Sequence, residues 1–404
     1  MPEMPALRTG ISTADSAVAA WVDGGKIPGA VLLVARGGRV LHDSAFGYAQ
    51  LYDYDLHRLA RPVAMHAATL FDLASVTKVM ATTFAVMLLV DRGKVDLDAP
   101  LHRYLPEFRG SHKDSVTVRH LLTHTAGLVQ WQPLYYHAHT PRETYQLICR
   151  MPLEWGVGEG RHYSDLGFML LGYLVERVSG RPLDVFVHDE IYTPLGLHAT
   201  MFRPKAHGFH DFAATSHGNP YERHMVYDST FGYRYLGDPT AWDGWRRYTL
   251  VGEVSDGNAW YANGGVAGHA GLFSNAADLH VLLELLLNRG EYHGRHYLRS
   301  QVVDEFLTRD RYGNGLGWMM SPDLPDGSFF HTGFTGTYVL GVPKYHLAVV
   351  LLTNRENMGT NAAGYYPDVN PLRDVVARAL IDGAASDSSR RASRRTPPSN
   401  PRSM

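Results

Sequence analysis

A serine three residues ahead of a lysine, Ser75-Val76-Thr77-Lys78, is the pairing in this sequence with the clearest chemical use. On a helix, positions i and i+3 share a face about 5–6 Å apart, so the lysine amine can reach the serine hydroxyl. A free serine hydroxyl is a weak nucleophile and needs a neighbouring base or a strong positive field. A partly buried lysine has a lowered pKa and can be that base. Backbone N–H groups at a helix N-terminus favour a developing oxyanion. The same tetrapeptide also arises by chance as a capping serine followed by a solvated lysine, so alone it says little.

Two more motifs change its weight. Tyr163-Ser164-Asp165 stands just before a helical pattern that begins at Phe168, and His331-Thr332-Gly333 ends a strand pattern and runs into Phe334-Thr335-Gly336. Serine β-lactamases and penicillin-binding proteins carry S-x-x-K, S-D-N and K-T-G in this order. The segment from Phe71 to Lys78 resembles the nucleophile segment of the class C β-lactamase-related serine hydrolases. This group includes family VIII carboxylesterases, low-molecular-weight penicillin-binding proteins, D-aminopeptidases and some acyltransferases. His120-Leu121-Leu122-Thr123-His124-Thr125-Ala126-Gly127-Leu128 and Gly264-Gly265-Val266-Ala267-Gly268-His269-Ala270-Gly271-Leu272 are similar to two further segments of the group. The likeness runs from about residue 15 to residue 382.

The resemblance implies roles. Ser75 is the acylated nucleophile. Lys78 and Tyr163 are a coupled base that returns the proton to the leaving group. The backbone N–H groups of Ser75 and Phe334 are the oxyanion hole, and Asp165, His331, Thr332 and Gly333 contact substrate. Two positions depart from the β-lactamase pattern. Asp165 replaces an asparagine, and an ionised carboxylate only accepts hydrogen bonds. It either holds Lys78 or favours a substrate with a donor. His331 replaces a lysine whose fixed charge meets a substrate carboxylate, whereas histidine is mostly neutral above about pH 6.5. Both departures favour a neutral ester. The expected activity is a carboxylesterase for short-chain esters. A β-lactamase or D,D-peptidase-type penicillin-binding enzyme and an acyltransferase of the same fold are the alternatives.

Other candidates carry less. His120 and His124 are four apart, yet no H-E-x-x-H motif surrounds them, so no metal and no cofactor is expected. Trp131, Tyr135 and Tyr136, with His137 and His139, form an aromatic loop that either lines a pocket or packs on the surface. The absence of G-x-S-x-G argues against an α/β-hydrolase.

The elements that must position these groups follow from pattern and composition. The chain has 404 residues, with 45% hydrophobic and 19% charged, which is globular composition. Lys plus Arg is 38 against 40 for Asp plus Glu, a balance that gives no support for nucleic-acid binding. One cysteine excludes an intrachain disulfide. The longest apolar run, residues 79–90, is too short for the roughly 20 residues of a membrane span. With no signal-peptide pattern at the N-terminus, a cytoplasmic location is expected. The expected partner is a small-molecule ester or amide.

Residues 30–36 and 39–48, split by Gly37-Gly38, read as a hairpin. Residues 315–320, 327–331, 337–342 and 347–353 read as strands. Residues 14–23, 71–90, 168–178, 275–288 and 372–381 read as helices. Residues 49–68 show no clear period. This order implies an α+β fold, β-lactamase/transpeptidase-like, with an antiparallel sheet flanked by helices and an inserted, mostly helical domain. The expected boundaries are 1–65 and 255–383 for the sheet domain, 66–254 for the insert, and 384–404 for a disordered Arg/Ser-rich tail.

Overall fold

A computed structural model describes residues 4–110, 112–232 and 235–395, with residues 391–395 as backbone only. Its main sheet has six antiparallel strands drawn from both ends of the chain. These are β1 (Gly29–Arg36), β2 (Arg39–Tyr52), β3 (Arg58–Ala64), β4 (Phe329–Thr332), β5 (Tyr338–Val342) and β6 (Leu347–Thr353). Their order is β4-β5-β6-β1-β2-β3. β1 is central and pairs with β6 in the register Ala30↔Thr353 to Arg36↔Leu347. Gly37 and Gly38 both take positive φ, which suits the two-residue turn between β1 and β2.

Alternation along the strands builds two layers. Ala30, Leu32 and Val34 of β1 join Leu347, Val349 and Leu351 of β6 on one face, beneath α1 (Pro5–Asp23) and the C-terminal helix Asn370–Arg395. Val31, Leu33 and Ala35 face the other way, with Ala348, Val350 and Leu352, into the larger core that also holds the helical insert. Strands buried on both faces lose polar alternation and read as continuous apolar runs, as 347–353 does. The insert is organised around α2, a helical segment Ala74–Asp91 of mixed 3₁₀, π and α turns, and α3 (Asp165–Ser179). α4 (Ala276–Leu287) follows, with the Asn275 side chain accepting from the Asp278 N–H as an N-cap. The helix Asn370–Arg395 is α5.

Four expectations need correction. Residues 49–52 and 58–64 are strand, because β2 runs to Tyr52 and pairs with β3, whose faces are both largely exposed and leave no period to read. Residues 315–320 form only one bridge, Met319 to Phe330. Phe71–Asp72 is a short strand rather than the start of a helix. Residues 384–395 continue α5, because Ala384 is buried and the Asp387 carboxylate accepts from the N–H groups of Ala6 and Leu7 at the start of α1. Residues 396–404 of the expected tail lie outside the described residues.

Among the described residues, Ala74–Asp91 is long and apolar enough to cross a membrane. Of that segment, 83% is buried within the fold, as a core helix would be.

Candidate active site

Ser75 owes its position to a clamp on the residues before it. Phe71–Asp72 pairs with Leu272–Ser274, and the Leu73 N–H donates to the Leu272 carbonyl at 3.0 Å. The chain then turns sharply at Ala74, a non-glycine residue at φ +46°. Such a conformation costs on the order of 1–3 kcal/mol and persists only where its surroundings fix it. Here Asp72 Oδ1 accepts from Ala74 N at 2.9 Å, Thr335 Oγ1 donates to the Asp72 carbonyl at 2.7 Å, and Thr337 Oγ1 donates to the Leu73 carbonyl at 3.0 Å. The result seats Ser75 in a 3₁₀ turn at the head of α2.

One turn on, Lys78 is fully buried and its Nζ donates to Ser75 Oγ at 2.8 Å. The same Nζ lies 2.7 Å from Asp165 Oδ1 and 4.8 Å from the centroid of the Tyr163 ring. Burial alone would pull the ammonium pKa down. The Asp165 carboxylate and the Tyr163 hydroxyl outweigh it, so the pKa is raised. This corrects the expectation of a lysine made basic by burial: in this arrangement Lys78 is a cation, and Asp165 is its counterion. The Asp165 alternative in which the carboxylate holds Lys78 is the one the geometry favours.

Tyr163 sits at the entry to α3, whose N-cap Ser164 accepts from Gly167 N. His124 holds this segment. Its Nδ1 accepts from Ser164 N at 3.0 Å, its carbonyl accepts from His162 N at 2.8 Å, and its ring lies 4.4 Å from that of Tyr163. Burial drives the His124 pKa well down, so the ring is neutral and can accept. The H-L-L-T-H-T segment therefore bears on the site through Tyr163. His120 points elsewhere, closing a capping box with Thr117.

The third element departs from expectation. His331 is only 1% exposed and lies behind the cavity wall, with Nδ1 2.9 Å from the Thr332 carbonyl. Burial and the nearby Lys78 cation push its pKa down to about 3, so it carries no charge at neutral pH. Among the described residues, Phe334 and Thr335 line the cavity, whereas His331, Thr332 and Gly333 are not on its wall. Gly333 is packed tightly: an added Cβ would sit 2.0 Å from Thr337 Oγ1 and 2.4 Å from the Leu73 carbonyl.

The cavity itself is about 210 Å³ and opens on Ser75. Its walls include Tyr163, Asp165, Trp131, Asn219, Glu222, Asp256 and Glu356. Trp131 thus joins the site, whereas Tyr135 sits behind it and donates to Glu222 Oε2 at 3.0 Å. His137 and His139 are not on the wall. Sequence reasoning missed Glu222, Asp256 and Glu356, which no short motif links. Asp165, Asp256 and His269 bring three ligand-type atoms within 4.8 Å of one another. Two protein contacts already meet this trio: His269 Nε2 lies 3.0 Å from Asp256 Oδ1, and the Lys78 ammonium lies on Asp165.

The Beta-lactamase family model matches residues 14–368. The N-acetylmuramyl-L-alanine amidase of Bacillus subtilis (strain 168) is 35% identical over 362 residues, covering 82% of this chain and 78% of the relative. A putative D-alanyl-D-alanine carboxypeptidase of Escherichia coli O157:H7 is 35% identical over 363 residues, covering 83% and 80%. Among solved structures, EstCE1, a hydrolase with promiscuous acyltransferase activity, shares the fold with a TM-score of 0.69 at 23% identity, covering 93% of this chain and 99% of its own. The fold is thus β-lactamase/transpeptidase-like, and by the extent of the family match the chain belongs to the Beta-lactamase family of serine hydrolases.

Proposed function

We propose that this hydrolase is a carboxylesterase that forms an acyl-enzyme on Ser75. Ser75 Oγ attacks the ester carbonyl carbon, and its proton passes to the Lys78–Tyr163 pair in the form that has already lost one proton. The carbonyl oxygen becomes an oxyanion facing the N–H groups of Ser75 and Phe334. Collapse expels the alcohol, which takes the proton from the pair. Water then attacks the acyl-enzyme by the same route and releases the acid. A single backbone donor of this kind is worth about 10²–10³ in rate.

The observation that carries this reading is the charge of the cavity. Its described walls include Asp165, Glu222, Asp256 and Glu356 and neither lysine nor arginine. A substrate that presents a carboxylate there finds no lysine or arginine on the wall to pair with, which disfavours the anionic β-lactams and peptide C-termini that a fixed lysine would hold. A second reading, an amidase or D-alanyl-D-alanine carboxypeptidase, draws on the relatives' names and on Arg355. Arg355 lies in the open groove beyond Phe334, where a carboxylate could be met outside the cavity.

Hydrolysis of p-nitrophenyl butyrate and nitrocefin, side by side in wild type and Ser75→Ala, tests the proposal. Fast Ser75-dependent ester turnover with slow nitrocefin cleavage supports the esterase. The reverse order of rates supports the second reading.

A further inference from the structure

A buried cation holds the turn that carries Phe334. Residues 333–337 join β4 to β5. Gly333 N–H donates to the Thr337 carbonyl at 2.8 Å, and Gly336 N–H donates to the Gly333 carbonyl at 3.1 Å. Arg373, in the first turn of α5, is 8% exposed. Its Nη2 donates to the Gly333 carbonyl at 3.1 Å and to the Thr337 carbonyl at 3.0 Å. Its Nη1 donates to Asn370 Oδ1 at 2.8 Å. Burial lowers the Arg373 pKa to about 10, which leaves it charged at neutral pH.

These acceptors are carbonyls and an amide oxygen, not carboxylates. Taking a cation out of water is costly, and a buried ion pair is the usual compensation. A buried guanidinium committed to backbone carbonyls instead draws attention to what those carbonyls do. The Gly333 carbonyl belongs to the peptide unit whose N–H is that of Phe334. A peptide unit is planar, and in its trans form C=O and N–H point in opposite directions. No peptide bond among the described residues is cis. Holding the carbonyl therefore aims the N–H. A charged donor on the carbonyl also polarises the unit and makes its N–H a stronger donor. Arg355 repeats the arrangement on the next unit, where its Nε donates to the Phe334 carbonyl at 2.8 Å.

We propose that Arg373 is a positioning residue for the oxyanion hole, aiming and strengthening the Phe334 N–H through the Gly333–Phe334 peptide unit. The inference rests on the acyl-enzyme reading above, in which that N–H faces the oxyanion. Arg373 itself is not on the cavity wall. A donor aimed at the oxyanion acts where charge develops, in the transition state, more than on the bound ester. Loss of Arg373 should therefore fall on kcat rather than on KM.

Arg373→Met keeps the length of the side chain and removes its donors and charge. With p-nitrophenyl butyrate, kcat should fall at least about tenfold while KM changes less than about threefold. Trifluoromethyl propyl ketone reads the oxyanion without turnover. Ser75 Oγ bonds to its carbonyl carbon, the C=O π pair moves to oxygen, and the serine proton passes to the Lys78–Tyr163 pair. Its affinity, read as protection of Ser75 from a fluorescent fluorophosphonate, should weaken at least about tenfold in the variant. Arg373→Lys keeps the charge and a donor, and should recover at least about threefold of both losses. Thermal melts show which variants fold. Asn370→Ala removes only the Nη1 anchor, on an exposed residue, and serves if Arg373→Met does not fold. It should give a smaller loss of kcat with KM unchanged. Unchanged kcat and ketone affinity in the folded variant would overturn the proposal. So would a loss that falls on KM, or one that Arg373→Lys shares in full, since either marks packing rather than a directed charge. A ketone that fails to protect wild-type Ser75 would overturn the oxyanion reading and the proposal with it. A wild type that binds the ketone but hydrolyses no ester would count against the esterase reading alone, and ketone affinity would still decide the role of Arg373.

Discussion

Replacing Asp165 by asparagine tests the electrostatic core of the site. Lys78 Nζ and Asp165 Oδ1 are 2.7 Å apart, and Lys78 is fully buried. At an effective dielectric near 20, two unit charges at that distance attract by about 6 kcal/mol, or about 4 pKa units. This is an upper figure, since the Asp165 side chain keeps 19% exposure. Asparagine keeps the shape and removes the charge. Burial then acts on Lys78 unopposed by its main counter-charge and pulls its pKa down. Whichever member of the pair gives up the proton, loss of a nearby anion makes that step easier. The pair titrates as a unit, so the reactive, singly deprotonated form becomes available at lower pH by either route. The assay is the rate of Ser75 phosphonylation by a fluorescent fluorophosphonate between pH 6 and 10.5. Wild type should rise with pH across the range without a plateau. Asp165→Asn should reach its plateau at least about 2 pH units lower. An unmoved profile, whether the variant is slower or not, would refute the argument that Asp165 keeps Lys78 charged.

Other perturbations follow from the same structure. Ser75→Ala should abolish ester turnover and fluorophosphonate labelling while leaving the melting temperature within a few degrees, as read by activity assay and thermal melt. Gly333→Ala should lower kcat/KM at least about 10²-fold, because its Cβ must displace the Leu73 carbonyl that fixes the turn before Ser75. Two buried carboxyls set a pH dependence of stability: Asp72 is raised to about 6 and Glu356 to about 7, in both cases chiefly by burial. The folded state then holds more protons than the unfolded chain, so stability is greatest below about pH 4 in this respect and falls as pH rises to about 7. Melting curves at pH 5 and pH 8 should show that fall, and Glu356→Gln should reduce it. Asp387→Ala removes a buried cap from the start of α1 and should cost about 0.5–2 kcal/mol in a denaturant titration without changing kcat.

Local rules made part of this visible in the sequence. The Ser75–Lys78 contact depends on residues three apart on one helical turn. β6 was legible because six consecutive apolar residues have few other uses, and Asn275 because its cap is a local bond. The direction of the Lys78 pKa was not legible, since it hangs on a carboxylate 87 positions away whose reach depends on how α3 docks against α2. Glu222, Asp256 and Glu356 sit in unrelated segments and meet only in the folded chain. His331 reads as a substrate contact from its motif position, and its burial and neutrality, which follow from how its strand packs near Lys78, were not legible. The end of α5 was misread from composition, because a polar stretch gains order when one of its aspartates caps another helix.

The pairing of β1 with β6 has a consequence for how the chain comes to be made. Ala30 meets Thr353, so the central strand of the sheet lacks one neighbour until more than three hundred further residues exist. At roughly 5–20 residues per second, a ribosome needs about 15–65 seconds to deliver it. Through that interval the β1–β2 hairpin carries an open apolar edge, the kind of surface that templates pairing between chains. A fold closed by its two ends is slow by topology, since the loop entropy must be met before the final contacts form. The yield of active enzyme in a cell should therefore depend on temperature and on holding factors during synthesis, even where the finished protein is stable.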